Sequence, residues 1–452
     1  MNAAGTHAVL SAHPRASLDE AERQTASIDR SGYVPPSFAD GVIFAQSIDD
    51  VVLAMKLAHE HGAVIVPRGA GTGLAAGSSA QAGQIVLDMS RMDKILHIDP
   101  VEATALVQPG VINAAVNQAA GEHGLFYAPD PASTAICSIG GNIATNAGGM
   151  WCAKYGVTRE SVLSLLVVLP DGQLLRTGRR TIKGVAGYDM NALMIGSEGT
   201  LGIVVEALLR LRPKPKHTAT LVAYFPDEDT AAQAASAVIA QRLTPSVLEL
   251  MCGKTLKAVD AALGTEHESR GGALLLAQTD GYGAQLEMQA LRDAIAPLAG
   301  RIELAKDAQE AEALIEARRQ AIPSMEKLGT ASICDIGVPR NRLAEAFAGL
   351  HRIQDERGVS IFTIAHAADG NLHPIIVVPE GQSITTGAPK AALGDMFYLA
   401  QSLGGTLTGE HGIGLLKQDW MAEELGETSL DLQRRVRAVF DPQGILNPGK
   451  AI

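Results

Sequence analysis

Residues 63–89 read AVIVPRGAGTGLAAGSSAQAGQIVLDM. The apolar runs at 63–67 and 84–89 have the length and β-branched content of strands. Between them, residues 71–76 (GTGLAA) satisfy the G-x-G-x-x-[GA] spacing of a dinucleotide-binding turn. In a doubly wound sheet that turn opens onto a long helix whose N-terminus meets the pyrophosphate. Here Gly77, Ser78, Ser79 and Gly83 interrupt, and the second strand begins within a few residues. The stretch therefore argues against a Rossmann unit. Successive backbone N–H groups can still cradle a diphosphate without a helix. Taken alone, a tight glycine turn fits equally well.

Working outward, residues 51–61 have helical apolar spacing, 104–107 form a strand ending at Pro109 and Gly110, and 111–123 form a helix. A long glycine- and asparagine-rich passage follows at 129–149, then two strands, 162–169 and 173–176, around the turn at 170–172. Alternating proline and lysine at 211–216 (LRPKPK) suit an extended linker and a domain boundary. Beyond it the pattern predicts strands at 219–225, 273–278 and 332–338, and helices at 230–241, 284–296 and 307–322. That alternation suggests a sheet covered by helices on one side. The tail is helical at 391–403 and 430–440. The fold class is α+β, with expected domains 1–213, 214–390 and 391–452.

The chain has 452 residues and 46% hydrophobic content, enough for two or three domains with their own cores. A net charge of -12, no basic run and 4% aromatic content argue against a nucleic-acid partner. Cys137, Cys152, Cys252 and Cys334 are scattered without a C-x-x-C, so neither a disulfide framework nor a cysteine-ligated iron–sulfur cluster is indicated. Residues 1–30 hold no apolar core of signal-peptide length, and the apolar stretch at 162–169 is too short to cross a bilayer. A soluble, cytoplasmic protein is expected, with peripheral attachment to a membrane left open.

Chemistry concentrates in two later segments, 361–378 (IFTIAHAADGNLHPIIVV) and 404–416 (GGTLTGEHGIGLL). The first reads as a hairpin around a turn at 369–371, which brings His366 and His373 to the same mouth. The second adds Glu410 and His411 between Gly409 and Gly412. Two imidazoles and a carboxylate are a divalent-metal ligand set with room left for substrate, and a neighbouring histidine suits proton abstraction. Spacing alone also fits solvated turn histidines. Upstream, residues 129–133 (PDPAS), 140–149 (GGNIATNAGG) and 196–203 (GSEGTLGI) repeat the small, polar character of the first glycine loop. Several such loops in one domain suggest a large phosphate-containing cofactor.

Residues 67–74 (PRGAGTGL), the run from 129–133 through Gly140, Gly141 and Asn142 to 146–149, and 183–189 (KGVAGYD) with 196–202 resemble FAD-linked oxidases. The likeness is to the vanillyl-alcohol oxidase / p-cresol methylhydroxylase type. His366-x6-His373 and the GEHG at 409–412 resemble its D-2-hydroxyacid dehydrogenase branch: glycolate oxidase flavoprotein subunit, D-lactate dehydrogenase and D-2-hydroxyglutarate dehydrogenase. The resemblance covers about residues 34–450. It implies a two-part FAD-binding domain, an α/β cap domain for substrate, and a C-terminal helical segment returning to the flavin. It also implies that FAD is held around Arg68, Gly69, Ala70, Gly71, Thr72 and Gly73, with Pro129, Ser133, Gly140, Gly141, Asn142, Thr145, Asn146, Ile203 and Asn447. No histidine lies between Pro67 and Ser79 to attach flavin, so FAD is expected to be noncovalent.

By the same resemblance, zinc or manganese is held by His366, His373 and Glu410, and His411 is the catalytic base. An arginine before Pro323 grips the substrate carboxylate, and spacing favours Arg318 over Arg319. D-2-hydroxyglutarate enzymes carry a lysine where this chain has Ile333, which favours a monocarboxylic substrate such as glycolate or D-lactate. Tyr188 and Asp189 are either near the site or structural. Without a fused iron–sulfur domain, electrons are expected to leave to a partner protein, a quinone or oxygen. A homodimer and a hetero-oligomer with an iron–sulfur subunit both stay open. The rival readings are D-2-hydroxyglutarate dehydrogenase, an alkyl-glycerone-phosphate synthase-like transferase, and an oxidase of aromatic alcohols or sugars.

Overall fold

The computed structural model describes residues 3–181 and 183–452. They divide into two compact units. The first comprises residues up to Gly148, Gly156–Lys214 and Glu410–Ile452; the second comprises Gly149–Tyr155 and Pro215–Gly409.

The first unit is built on two larger sheets, with Leu125–Phe126 and Arg212–Pro213 forming a small two-stranded one. In one, Gly41–Phe44, Gln84–Asp88 and Val64–Arg68 run parallel, with Ala16–Ser17 antiparallel at the edge. The connection between Val64–Arg68 and Gln84–Asp88 contains no helix, as the interrupting glycines and serines require. Ile48–His61 is a helix because Ser47 and Asp50 form a reciprocal capping box and Gly62 closes its end at φ 62°. Its Val51, Ala54, Met55 and Ala58 stripe packs on Ile43, Ile65, Ile85 and Leu87. The other sheet is antiparallel, in the order Ile95–Asp99, Thr104–Val107, Ile203–Arg210, Val162–Val168, Leu174–Gly178. The passage at 129–149 is less irregular than its composition suggests. Ser138 caps a short helix, Ile139–Thr145, which Asn146 ends in the left-handed region at φ 54°. Two glycines early in that helix hide it from propensity.

The second unit holds an antiparallel eight-stranded sheet. Its order is Arg301–Leu304, Thr218–Phe225, Ala273–Asp280, Val247–Cys252, Ser360–His366, Asn371–Val378 and Thr330–Ile333, with Ile336–Gly337 also on Asn371–Val378. Helices cover both faces rather than one. Every residue of Val247–Cys252 is buried, as a strand sandwiched between two helical layers must be. Gly253–Leu263, Ala308–Arg319 and Ala321–Glu326 form one group of mutually packed helices. Glu228–Ala240, Ala284–Ile295, Leu343–Arg357 and Gly387–Ser402 form the other. The helix expected at 307–322 breaks at Gln320, and Pro323 falls in the first turn of Ala321–Glu326, where a missing N–H is tolerated. The strand expected at 332–338 splits into Thr330–Ile333 and Ile336–Gly337, because Asp335 turns away to bind the backbone of Gly409.

Two segments group differently from the expected boundaries. Gly149–Tyr155 belongs to the second unit, where Lys154 and Tyr155 both bind the Asp280 carboxylate, Tyr155 Oη at 2.7 Å. Gly387–Ser402 also belongs there: it closes on Leu343–Arg357 at Gly349, where a Cβ would come within 2.5 Å of Leu399. Among the described residues no helix is long and apolar enough to cross a membrane.

Candidate active site

The hairpin Ser360–His366 and Asn371–Val378 pairs His366 with Asn371 and Ile364 with His373. This register puts the two histidines diagonally adjacent on one face, their rings 5.0 Å apart and nearly perpendicular at 89°. The turn requires glycine: Gly370 sits at φ 86°, and a Cβ there would lie 2.1 Å from the Val338 carbonyl oxygen. Both imidazoles are buried. Glu410 directly follows Gly409, and His366, His373 and Glu410 each offer a ligand atom within 4.8 Å of the others. The nitrogen and oxygen donor set fits a divalent ion such as zinc or manganese.

Glu249 stands opposite His366 on the neighbouring strand. Its Oε1 lies 2.7 Å from His366 Nδ1, and its Oε2 lies 2.6 Å from Arg318 Nη2. Arg318 is only 3% exposed, and its Nε is buried without a hydrogen-bond partner among the described residues. Arg319, the next residue, instead faces outward to Glu312 Oε1 at 3.1 Å. Packing thus separates two arginines that sequence could only rank. Ile333 pairs with Ile375, two residues from His373 and therefore on the same face of the sheet.

The segment carrying Glu410 and His411 is held at both ends. Before it, fully buried Asp335 receives Gly409 N–H at 2.5 Å and the Thr408 hydroxyl at 3.1 Å. Beyond it, Glu198 receives Ile413 N–H at 2.7 Å and Gly414 N–H at 2.8 Å. Burial raises the Glu198 carboxyl above the ordinary carboxylate range, against the pull of those amides and of Lys417 and Lys450. Gly414 must be glycine, since a Cβ would meet the Ala75 carbonyl oxygen at 1.8 Å. Leu415 N–H donates to that same oxygen at 2.9 Å, which ties the segment to the first glycine loop. His411 Nε2 lies 3.9 Å from Glu410 Oε1.

The glycine loops of the first unit converge. Ala70 N–H donates to Ser138 Oγ at 3.2 Å, and a Cβ on Gly69 would lie 2.4 Å from that oxygen. Gly140 N–H donates to the Pro109 carbonyl at 2.7 Å, and Glu198 N–H to Ala144 at 2.8 Å. Asn447 Nδ2 clasps the carbonyls of Gly77 at 3.1 Å and Glu198 at 2.7 Å. Asn142 is buried, and its Nδ2 has no hydrogen-bond partner among the described residues. Closely packed bare backbone fits a bound polar group such as a diphosphate.

Residues 39–178 match the model of an FAD binding domain, and residues 214–451 match the C-terminal domain of FAD linked oxidases. The chain belongs to the FAD-linked oxidases. It is 40% identical over 420 residues to the glycolate oxidase subunit GlcD of Bacillus subtilis, covering 92% of this chain and 89% of that protein. It is 34% identical over 427 residues to a D-lactate dehydrogenase of Anaerostipes hadrus, covering 90% and 88%. A crystal structure of p-cresol methylhydroxylase with substrate bound shares the fold at TM-score 0.80 and 18% identity, covering 99% of this chain and 96% of that one.

In this FAD-linked oxidase several residues expected at the cofactor carry internal bonds. Arg68 Nη1 donates to the Ile28 carbonyl at 2.6 Å, and Thr145 Oγ1 to Gly141 at 3.3 Å. Asn146 Oδ1 accepts from Arg159 N–H at 2.9 Å. The Pro129 carbonyl accepts from Asn113 Nδ2 at 3.1 Å, and the Ser133 carbonyl from Ile136 and Cys137 N–H at 2.8 Å. Ile203 opens a strand opposite Val168. Gly71, Thr72 and Gly73 are half-buried in the first loop.

Sequence reasoning missed four residues: Glu249, Asp335, Glu198 and Lys450. Glu249 was the most detectable, a carboxylate inside the otherwise apolar strand VLELMC, where an unpaired charge is untenable. Lys450 is almost wholly buried, donating to the Ser79 carbonyl and to Asn447 Oδ1, and burial pulls its amine down to about 7.

Proposed function

We propose that this FAD-linked oxidase is a divalent-metal-dependent dehydrogenase of a D-2-hydroxy acid, glycolate or D-lactate in preference, yielding the 2-oxo acid. Electrons then pass to a partner protein or a quinone. The observation that carries the reading is the His366, His373 and Glu410 donor set with His411 adjoining it. The names of the glycolate oxidase subunit and D-lactate dehydrogenase relatives support the substrate class. Bound FAD supplies a two-electron acceptor for the α-hydride, and a bound divalent metal lowers the pKa of an alcohol it contacts.

The residues divide the remaining work. His366, His373 and Glu410 would hold the metal. His411 takes the hydroxyl proton at Nε2, the ring nitrogen 3.9 Å from Glu410 Oε1. Arg318 holds the substrate carboxylate, its buried Nε being a donor in need of an acceptor. Loss of one proton and one hydride from the CH–OH carbon leaves the C=O of the 2-oxo acid. Ile333, on the histidine face, offers apolar surface instead of a second cation, which suits a short substrate tail.

The test is anaerobic addition of D-lactate, L-lactate, glycolate and D-2-hydroxyglutarate to the purified flavoprotein. Bleaching of the flavin absorption by glycolate or D-lactate is expected. Bleaching by D-2-hydroxyglutarate alone would overturn the substrate assignment, and bleaching by none of them would sink the activity.

A further inference from the structure

We propose that Glu249 is a positioning residue that sets the metal ligand His366 with one carboxylate oxygen and the substrate arginine Arg318 with the other. The proposal rests on the metal-dependent hydroxy-acid reading above. Glu249 is fully buried in the middle of an apolar strand, directly across the sheet from His366. Stranding an ionised carboxylate there would be prohibitive unless both oxygens were matched. They are matched differently: Oε1 shares a hydrogen bond with His366 Nδ1 at 2.7 Å, and Oε2 is ion-paired with Arg318 Nη2 at 2.6 Å without hydrogen-bond geometry.

Each contact has a chemical consequence. An ionised carboxylate only accepts hydrogen bonds, so His366 must carry its proton on Nδ1. That fixes the tautomer and leaves the Nε2 lone pair as the ligand atom. The same contact fixes the ring plane against His373, 89° away. On the other side, the ion pair holds the guanidinium by Nη2 while Nε stays uncommitted. Glu249 therefore brackets the metal end and the carboxylate end of one substrate with a single rigid group on a central strand. Because Glu249 and Arg318 neutralise each other, they leave the charge at the metal to Glu410 and the ion.

The contacts predict separable effects. Removing Glu249 alone would strand Arg318 as an unpaired buried cation and could unfold the cap. The decisive comparison therefore uses two double variants, Glu249→Gln with Arg318→Met, and Glu249→Leu with Arg318→Met. Both abolish the buried pair together, and they differ in whether an acceptor faces His366 Nδ1. FAD-loaded apoprotein of each is titrated with Mn2+ and with Zn2+ by calorimetry, with flavin absorption reporting that the fold is intact. The leucine form should bind metal about 10- to 100-fold more weakly than the glutamine form. In the Glu249→Gln single variant, metal affinity should stay near that of the wild type while KM for the hydroxy acid rises. Equal metal affinity in the two double variants would overturn the proposal. A wild-type apoprotein that takes up neither metal would overturn the proposal together with the metal-dependent reading. Wild-type uptake with equal double variants would overturn the proposal alone.

Discussion

Replacing Asp335 with alanine should disarm, from a distance, the metal site proposed at His366, His373 and Glu410. Asp335 is fully buried and receives Gly409 N–H at 2.5 Å and the Thr408 hydroxyl at 3.1 and 3.2 Å. Alanine leaves the Gly409 N–H without that acceptor. A buried donor without a partner costs about 1–3 kcal/mol, so the segment leading to Glu410 would carry about that much. It can shed that cost by turning the Gly409 N–H toward water, which draws Glu410 away from His366 and His373. Metal binding must then reverse the shift. If the reversal takes only about 2 kcal/mol, affinity falls about 30-fold. Asp335→Asn keeps an acceptor for Gly409 and can donate to the Thr408 hydroxyl, so its loss should stay below about 10-fold. Calorimetric titration of the FAD-loaded apoprotein with Mn2+ measures both. Wild-type affinity in Asp335→Ala would refute the reasoning.

Three further outcomes are expected. His411→Ala should keep FAD and metal, yet its flavin should be reduced by substrate about 10²- to 10⁴-fold more slowly in stopped flow; an unchanged rate removes His411 as the base. Gly370→Ala forces a side chain to φ 86° and into the Val338 carbonyl. It should destabilise the hairpin by at least about 2 kcal/mol, seen as a lower urea midpoint and lost metal binding, and an unchanged midpoint contradicts the steric argument. Lys450 loses its proton near pH 7 when folded, against an ordinary value of 10.5. Between those limits the unfolded chain binds the extra proton, so stability rises with pH, by up to about 1.4 kcal/mol per pH unit. Urea titrations from pH 7.5 to 9.5 should show that slope flattened in Lys450→Met, and identical slopes would discard the assignment.

Much of the architecture was legible because its causes are local. The hairpin around Gly370, the capped helix Ile48–His61 and the helix-free connection after Arg68 each follow from a few consecutive residues. So do the metal-ligand candidates, since the hairpin turn delivers His366 and His373 to one face. The short helix Ile139–Thr145 escaped notice because its stability comes from the Ser138 cap and burial, not from propensity. The second helical layer over the eight-stranded sheet escaped because a strand such as Val247–Cys252 looks the same whether one or both faces are covered.

By itself the amino-acid sequence marked the chain as an FAD-linked oxidase through the motifs of its glycine loops, and it offered two histidines, a carboxylate and a third histidine as candidates for the chemistry. Only the tertiary structure decided how those groups are aimed. Glu249 reaches His366 across 117 positions, and Glu198 reaches Ile413 across 215. The physical reason is that turn chemistry and periodicity act over a few residues. A buried charge instead finds its partner through strand register and helix packing, which no local pattern encodes.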